Sequence, residues 1–213
     1  MHVVPHGAEV SRFLPGRDDV RRAELGLSGV VIGFVGRLVP EKGVRDLLAA
    51  LTLLADRRVT GCSVCFVGGG PLAHELERAG REGVLAGRVR LVGPVVHDDA
   101  PRQYQLFDVL ALPSRTTPRW REQFGRVLVE AAATGLPLVG SDSGEIPHVL
   151  SSLAGTAVVP EGDVTALADA LEAYIVSAER RRDDGQRNLE AACRLFSHEA
   201  VADRMFALLG EVA

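Results

Sequence analysis

Two basic residues early in the chain have the types and surroundings that suit binding of a phosphorylated ligand. Arg37 and Lys42 lie in the segment Gly36-Arg37-Leu38-Val39-Pro40-Glu41-Lys42-Gly43, directly after an apolar run. A planar guanidinium and a compact ammonium both suit phosphate oxygens, and Gly36 permits close approach of the backbone. From the residues alone, phosphate binding and ordinary surface charge are both open for these two cations.

Two glutamates, Glu122 and Glu130, flank another candidate site for an anion. The residues from Gln123 to Gly135 predict a helix, with Glu130 about two turns into it. The first amides of a helix lack intrahelical partners and carry the positive end of its dipole, so we expect them to attract an anion. These amides belong to Phe124, Gly125 and Arg126. A carboxylate on each side of the anion could bind hydroxyl groups, which is the order of parts in a sugar–diphosphate–ribose.

Apolar runs that alternate with helical patterns indicate how the chain positions these groups. The six runs cover residues 30–35, 63–67, 89–95, 109–112, 136–140 and 155–160. Continuous apolar runs separated by amphipathic segments predict a doubly wound, parallel, six-stranded Rossmann-like sheet of the α/β class. The loops after residues 35, 67 and 112 then meet at the carboxyl edge of the sheet, where such folds bind their ligands.

Three local patterns resemble those of retaining glycosyltransferases with the GT-B fold, of the large group 1 or family 4 type. The first is Glu122-x7-Glu130 with Phe124-Gly125 between, the second is Gly36-Arg37-x4-Lys42-Gly43, and the third is Ser143-Gly144-Glu145-Ile146-Pro147. The resemblance covers nearly the whole chain but only the C-terminal, donor-binding half of such an enzyme. It implies a nucleoside-diphosphate sugar, with UDP, GDP or ADP as the nucleotide, as the substrate.

The resemblance also implies roles for individual residues. Arg37 and Lys42 would offset charge on the departing diphosphate, Glu122 would bind the donor sugar and Glu130 the ribose, so the predicted catalytic residues are Arg37, Lys42 and Glu122. The predicted donor-binding residues are Gly36, Gly69, Val95, Phe124, Gly125, Arg126 and Glu130. The chain has no Asp-x-Asp pair or His/carboxylate cluster, so we expect neither a metal nor another cofactor.

The resemblance divides the chain into three parts. Residues 1–18 are predicted to be the linker entering the domain, residues 19–195 the nucleotide-sugar-binding domain, and residues 196–213 a terminal helix. In GT-B enzymes such a helix packs on an N-terminal, acceptor-binding domain, which we expect to be missing from this excised or split chain. The apolar stripe of the terminal helix would then be unpartnered, and self-association through it is an alternative.

The amino-acid composition indicates the class of protein to which the chain belongs. The 213 residues are 46% hydrophobic and 24% charged, with a net charge of −4, values typical of one soluble globular domain without bulk attraction to nucleic acid. Cys62-x-x-Cys65 lies in an apolar run without a second ligand pair, which favours a structural role. With no signal peptide or membrane-length apolar run in the sequence, we expect a cytoplasmic protein.

Three classes of function are considered for the chain. The first is a nucleotide-sugar glycosyltransferase, and the second is a module that binds a nucleotide or nucleotide sugar without chemistry. For the isolated chain the second is favoured, because catalysis needs groups from both halves. An interaction scaffold without ligand binding is disfavoured, because the four charged residues of the predicted site are all present: Arg37, Lys42, Glu122 and Glu130.

Overall fold

A computed structural model describes residues 6–210 and shows a parallel sheet covered by helices on both faces. The strands are β1 (Val30–Val35), β2 (Cys62–Val67), β3 (Val89–Gly93), β4 (Val109–Leu112), β5 (Leu138–Ser141) and β6 (Thr156–Val159). The helices are α1 (Asp19–Glu24), α2 (Val44–Asp56), α3 (Ala73–Arg81), α4 (Ala100–Tyr104), α5 (Arg126–Ala133), α6 (Ile146–Ser151), α7 (Val164–Val176), α8 (Ala178–Phe196) and α9 (His198–Gly210). The predicted fold class is confirmed.

The strand order β3-β2-β1-β4-β5-β6 places β1 and β4 side by side at the centre of the sheet. Every pairing is parallel, and Ile32 of β1 lies opposite Val109 of β4. The chain order reverses between these two strands, so this is the switch point at which open parallel sheets form a ligand crevice. The loops that carry Lys42 and Glu122 follow β1 and β4 and therefore flank it.

The central strands are apolar throughout because helices cover both of their faces. Val31, Ile32 and Phe34 of β1 are fully buried, and they divide between two separate core clusters. Helices α2 and α7 pack in one cluster, and α5 and α8 pack in the other. The core thus fixes the carboxyl edge of the sheet from both sides and leaves its loops at the surface.

The first described residues and the last helices lie next to each other. Ala8 pairs with Ser197 in an isolated parallel bridge, and its amide donates to the carbonyl of Phe196 at 2.7 Å. Helix α9 follows directly, and three of its apolar side chains, Met205, Phe206 and Leu209, are at least half exposed. The predicted linker, residues 1–18, begins before the described residues. The predicted terminal segment, residues 196–213, extends beyond them.

Candidate active site

The loop after β1 meets the loop after β4 through a short ion pair between two predicted site residues. Lys42 Nζ donates to Glu122 Oε2 at 2.5 Å, although the residues are 80 positions apart in sequence. The same carboxylate oxygen accepts from Ser114 Oγ at 3.2 Å, and Glu122 is 8% exposed. A buried carboxylate requires such partners, since an unpaired charge there would cost several kcal/mol. Lys42 and Glu122 are therefore held together at the switch point.

Groups from helix α2 and from the loop after β5 fix the segment that carries Glu122. Arg115 binds both carboxylate oxygens of Asp46, at 2.5 and 2.6 Å. Thr116 Oγ1 lies 2.9 Å from Ser143 Oγ, and the amide of Glu145 donates to the carbonyl of Glu122 at 3.0 Å. The position of Glu122 thus depends on α2 and on the loop after β5 as well as on its own strand.

Arg37 is not brought to the Lys42–Glu122 pair. Its guanidinium is 63% exposed and lies 3.8 Å from Glu41 Oε1. Among residues 6–210 it forms no hydrogen bond with Glu122 or Glu130. Gly36 precedes it with φ of 151°, a conformation that favours glycine. The loop therefore carries one cation that is fixed by an ion pair with Glu122, Lys42, and one largely exposed cation, Arg37.

Helix α5 begins three residues later than the sequence predicted. We expected it to start near Gln123, but Gly125 is left-handed with φ of 74° and serves as the N-cap, so the first helical residue is Arg126. Phe124 lies outside the helix, and its ring packs edge-on against Phe196 with centroids 6.2 Å apart. Of the three predicted amides, those of Phe124, Gly125 and Arg126, only that of Arg126 therefore belongs to the helix.

The corrected helix start still leaves free donors at the sheet edge. Among the described residues, the amides of Arg126 and Val127 donate to no backbone or side-chain acceptor, whereas Leu128 N bonds to the carbonyl of Gly125 at 2.8 Å. Arg126 is exposed, so it adds a cation beside these amides. The arrangement suits a phosphate group.

Glu130 lies about one turn into α5, not two, and its carboxylate has a buried partner, Tyr104. The hydroxyl of Tyr104 in α4 donates to Glu130 Oε2 at 2.5 Å. Tyr104 is fully buried, and its burial together with the Glu130 carboxylate raises the pKa of the phenol well above its ordinary value. It therefore stays a hydrogen-bond donor at neutral pH.

A cleft of about 250 Å³ opens beside Glu130. Its lining combines residues of the first described segment, the turn before α4, helix α5 and the last helix: Gly7, Ala8, Glu9, Arg12, Phe13, His97, Arg126, Glu130 and His198. One Glu130 oxygen is committed to Tyr104, and Oε1 has no hydrogen-bond partner among residues 6–210. The carboxylate is therefore able to accept from a ligand hydroxyl in this cleft.

Two remaining predicted donor-binding residues lie on the neighbouring loops. The carbonyl of Gly69, after β2, accepts from the amide of Leu38 at 2.9 Å, which joins that loop to the Arg37 loop. Val95, after β3, is half-buried and packs against the core cluster that contains Tyr104. Both residues lie on loops that leave the carboxyl ends of their strands, and their contact with a ligand stays a prediction.

A larger cleft, of about 470 Å³, has Glu122 in its lining. It is lined by Thr117, Pro118, Arg119, Trp120, Arg121, Glu122, Gln123 and Glu145. Lys42 Nζ lies 5.0 Å from the centroid of the Trp120 ring. The signal in the sequence that could have identified this cleft is a tryptophan between two arginines immediately before Glu122.

The described residues contain no group of three or more His, Cys, Asp or Glu side chains placed to hold a metal ion. Within the same residues no helix is both long enough and apolar enough to span a bilayer.

Comparison with known proteins gives relatives over most of the chain. A family described as glycosyl transferases group 1 matches residues 29–176. A GDP-mannose-dependent alpha-(1-6)-phosphatidylinositol monomannoside mannosyltransferase of Mycobacterium tuberculosis is 33% identical over 84% of this chain and 48% of its own length. A D-inositol 3-phosphate glycosyltransferase of Corynebacterium jeikeium is 33% identical over 100% of this chain and 52% of its own length. The chain therefore spans about half the length of these curated relatives.

Solved structures share the fold over nearly all of the chain. Sucrose-phosphate synthase of Thermosynechococcus elongatus superposes with a TM-score of 0.79 at 27% identity, covering 99% of this chain and 52% of the other. The Anabaena protein HepE, crystallised with UDP, superposes with a TM-score of 0.82 at 22% identity, covering 99% of this chain and 57% of its own. The second likeness shows the fold alone.

Proposed function

Because the chain belongs to the group 1 glycosyltransferases, we propose that it is the donor-binding half of a retaining enzyme of this family. The reaction would transfer a sugar from a nucleoside-diphosphate sugar to an acceptor. The observation that carries the proposal is the contact between Lys42 and Glu122 beside the start of α5, at the switch point of the sheet. The Mycobacterium tuberculosis relative is named as using GDP-mannose, and HepE was crystallised with UDP.

The diphosphate is assigned to the start of α5 and to the loop after β1. The free amides of Arg126 and Val127 and the ammonium of Lys42 offer positive charge without a metal ion. Arg37, on the same loop as Lys42, has a long side chain that is largely exposed and free to turn toward an anion. These groups would stabilise charge that develops on the departing nucleoside diphosphate, which lowers the barrier for cleavage of the sugar–phosphate bond.

The donor sugar is assigned to the Glu122 side and the ribose to the Glu130 side. Lys42 and Ser114 both bind Oε2 of Glu122, which holds that carboxylate in place for sugar hydroxyls. Tyr104 binds Oε2 of Glu130 and leaves Oε1 for the ribose hydroxyls. The nucleobase would then lie near Val95 and Gly69.

Most of the acceptor site is assigned to a separate N-terminal half. The curated relatives are about twice as long as this chain, and the exposed apolar side chains of α9 offer a surface for a partner domain. The second candidate function, a nucleotide-binding module without turnover, applies to the chain on its own for the same reason. Self-association through α9 is the alternative use of that surface.

Calorimetry with UDP, GDP and ADP tests the proposal directly. We expect one of them to bind, and we expect Lys42→Ala and Arg37→Ala to weaken the nucleoside diphosphate more than the nucleoside, because both cations are assigned to phosphate. Equal losses for the two ligands would remove that assignment. Turnover of the matching nucleotide sugar only after the N-terminal half is supplied would separate the enzyme from the module.

A further inference from the structure

The segment from Arg115 to Arg121 is a rigid platform rather than a loose loop. Arg115 is clamped to Asp46, and the amide of Thr116 donates to Glu161 Oε2 at 2.7 Å. Thr117 and Trp120 exchange two backbone hydrogen bonds, of 2.7 and 3.3 Å, which closes a tight turn at the tip. Asp46 of α2 and Glu161 of the loop after β6 thus hold the segment, so its backbone has a defined position.

The tip presents two unpaired cations on either side of an aromatic ring. Arg119 and Arg121 are exposed, and neither forms an ion pair within residues 6–210. Trp120 between them is half-buried and lines the 470 Å³ cleft. Both guanidiniums are therefore available to an anionic ligand in this cleft.

The rest of the lining is suited to hydroxyl groups. Glu145 is exposed and offers a carboxylate, Gln123 offers an amide, and Glu122 forms the end of the cleft nearest the Lys42 pair. The Lys42–Glu122 pair is neutral, so Arg119 and Arg121 outweigh Glu145 and the cleft carries net positive charge. An aromatic ring with flanking hydrogen-bonding groups binds a polyhydroxylated ring, and guanidiniums bind phosphate or carboxylate in a bidentate manner.

We propose that this cleft binds the acceptor and selects one that carries an anionic group on a polyhydroxylated ring, such as a sugar phosphate. The ring would lie against Trp120, its hydroxyls would reach Glu145 and Gln123, and its phosphate would bind Arg119 and Arg121. This inference rests on the proposed function, because it places the acceptor next to the sugar that Glu122 holds. It assigns to the donor half a share of acceptor specificity.

The chain contains its own reporter for this cleft, because Trp120 is its only tryptophan. The protein is first saturated with whichever of UDP, GDP and ADP binds, and glucose 6-phosphate, glucose and inorganic phosphate are then titrated separately while tryptophan fluorescence is recorded. We expect a saturable change with glucose 6-phosphate at a concentration about tenfold or more below that needed for glucose or phosphate alone. Equal responses to glucose 6-phosphate and glucose would overturn the proposal.

Paired variants separate a specific site from general charge. Arg119→Gln with Arg121→Gln should remove the preference for glucose 6-phosphate over glucose and leave nucleoside diphosphate binding unchanged. Arg102→Gln with Arg182→Gln changes the net charge equally at two exposed arginines of α4 and α8 that form no ion pair among the described residues, and it should keep the preference. Loss of the preference in both pairs, or in neither, would refute the inference.

The outcomes also distinguish this inference from the function on which it rests. If the nucleoside diphosphate binds but glucose 6-phosphate shows no preference, the acceptor cleft is wrong and the donor site stands. If no nucleoside diphosphate binds, the donor assignment fails, whatever the fluorescence shows.

Discussion

Tyr104 offers a sharp test of the ribose assignment, because one atom can be removed without emptying the core. In Tyr104→Phe the ring keeps its packing against Phe13 and Phe107, whose centroids lie 5.5 and 5.9 Å away. What is lost is the hydroxyl that donates to Glu130 Oε2 at 2.5 Å. Hydrogen bonds to charged groups contribute about 1.5–3 kcal/mol, and we expect a loss of stability in that range.

The effect on binding follows from how Tyr104 orders Glu130. In the wild type the carboxylate is already fixed, so a ligand does not have to immobilise it. Ordering a side chain on binding costs about 0.5–1.5 kcal/mol, which corresponds to a rise of roughly two- to twelvefold in the Kd for the nucleoside diphosphate. The 2′-deoxynucleotide should be affected much less if Glu130 binds the 2′-hydroxyl.

Tyr174 provides a matched control. It is also fully buried, and its hydroxyl donates to a buried carboxylate, Asp184, at 2.8 Å, but α7 and α8 carry this pair. Tyr174→Phe should lose comparable stability and keep the wild-type Kd, with stability measured by denaturant unfolding and Kd by calorimetry. If Tyr104→Phe also keeps the wild-type Kd, its hydroxyl is purely structural and the reasoning is refuted. In a Glu130→Gln background the Tyr104 effect on Kd should disappear.

Two further predictions concern stability. A Cβ at Gly144 would lie 2.1 Å from the Glu122 carbonyl oxygen at φ of 56°, whereas a Cβ at Gly61, with φ of 77°, would have nothing within 4 Å. Gly144→Ala should therefore unfold at a lower denaturant concentration than Gly61→Ala, and it should also weaken donor binding. Equal behaviour of the two variants would contradict the steric argument. Burial and a neighbouring carboxylate raise the pKa of both Tyr104 and Tyr174 above the ordinary value of 10.0, so above pH ~10 the unfolded chain loses these protons first and stability falls by about 1.4 kcal/mol per pH unit for each. Either Tyr→Phe change should make that alkaline decline shallower in denaturant titrations between about pH 9 and 11, and an unchanged slope would show that the phenols titrate alike in both states.

The strands were predictable because each is a continuous apolar run, and β1 and β4 have the predicted bounds, residues 30–35 and 109–112. The start of α5 was not, because the 123–135 pattern does not reveal that Gly125 is left-handed and acts as the N-cap. Its side chains do satisfy helical spacing, but spacing gives the face of a helix and not its first residue.

Long-range contacts in the site were beyond the reach of the sequence pattern. Topology placed the loops of Lys42 and Glu122 at one edge, yet the pairing across 80 residues depends on how far each loop extends. The ring of Tyr104 is buried in the core. A buried tyrosine hydroxyl normally has a partner, but that partner, Glu130, lies 26 residues away on another helix.

Glu122 and Glu130 are eight residues apart, yet different parts of the fold hold them. Lys42 and Ser114 bind the Glu122 carboxylate, and only Tyr104 binds that of Glu130 within the described chain. Groups without shared partners contribute additively, within about 0.3–0.5 kcal/mol. The changes Ser114→Ala and Tyr104→Phe should therefore add in the binding free energy of the nucleotide sugar, measured by calorimetry on the two single variants and the double variant. A coupling energy above about 1 kcal/mol would mean that the two ends of the site move as one unit, and the separate assignment of sugar and ribose to the two carboxylates would have to be abandoned.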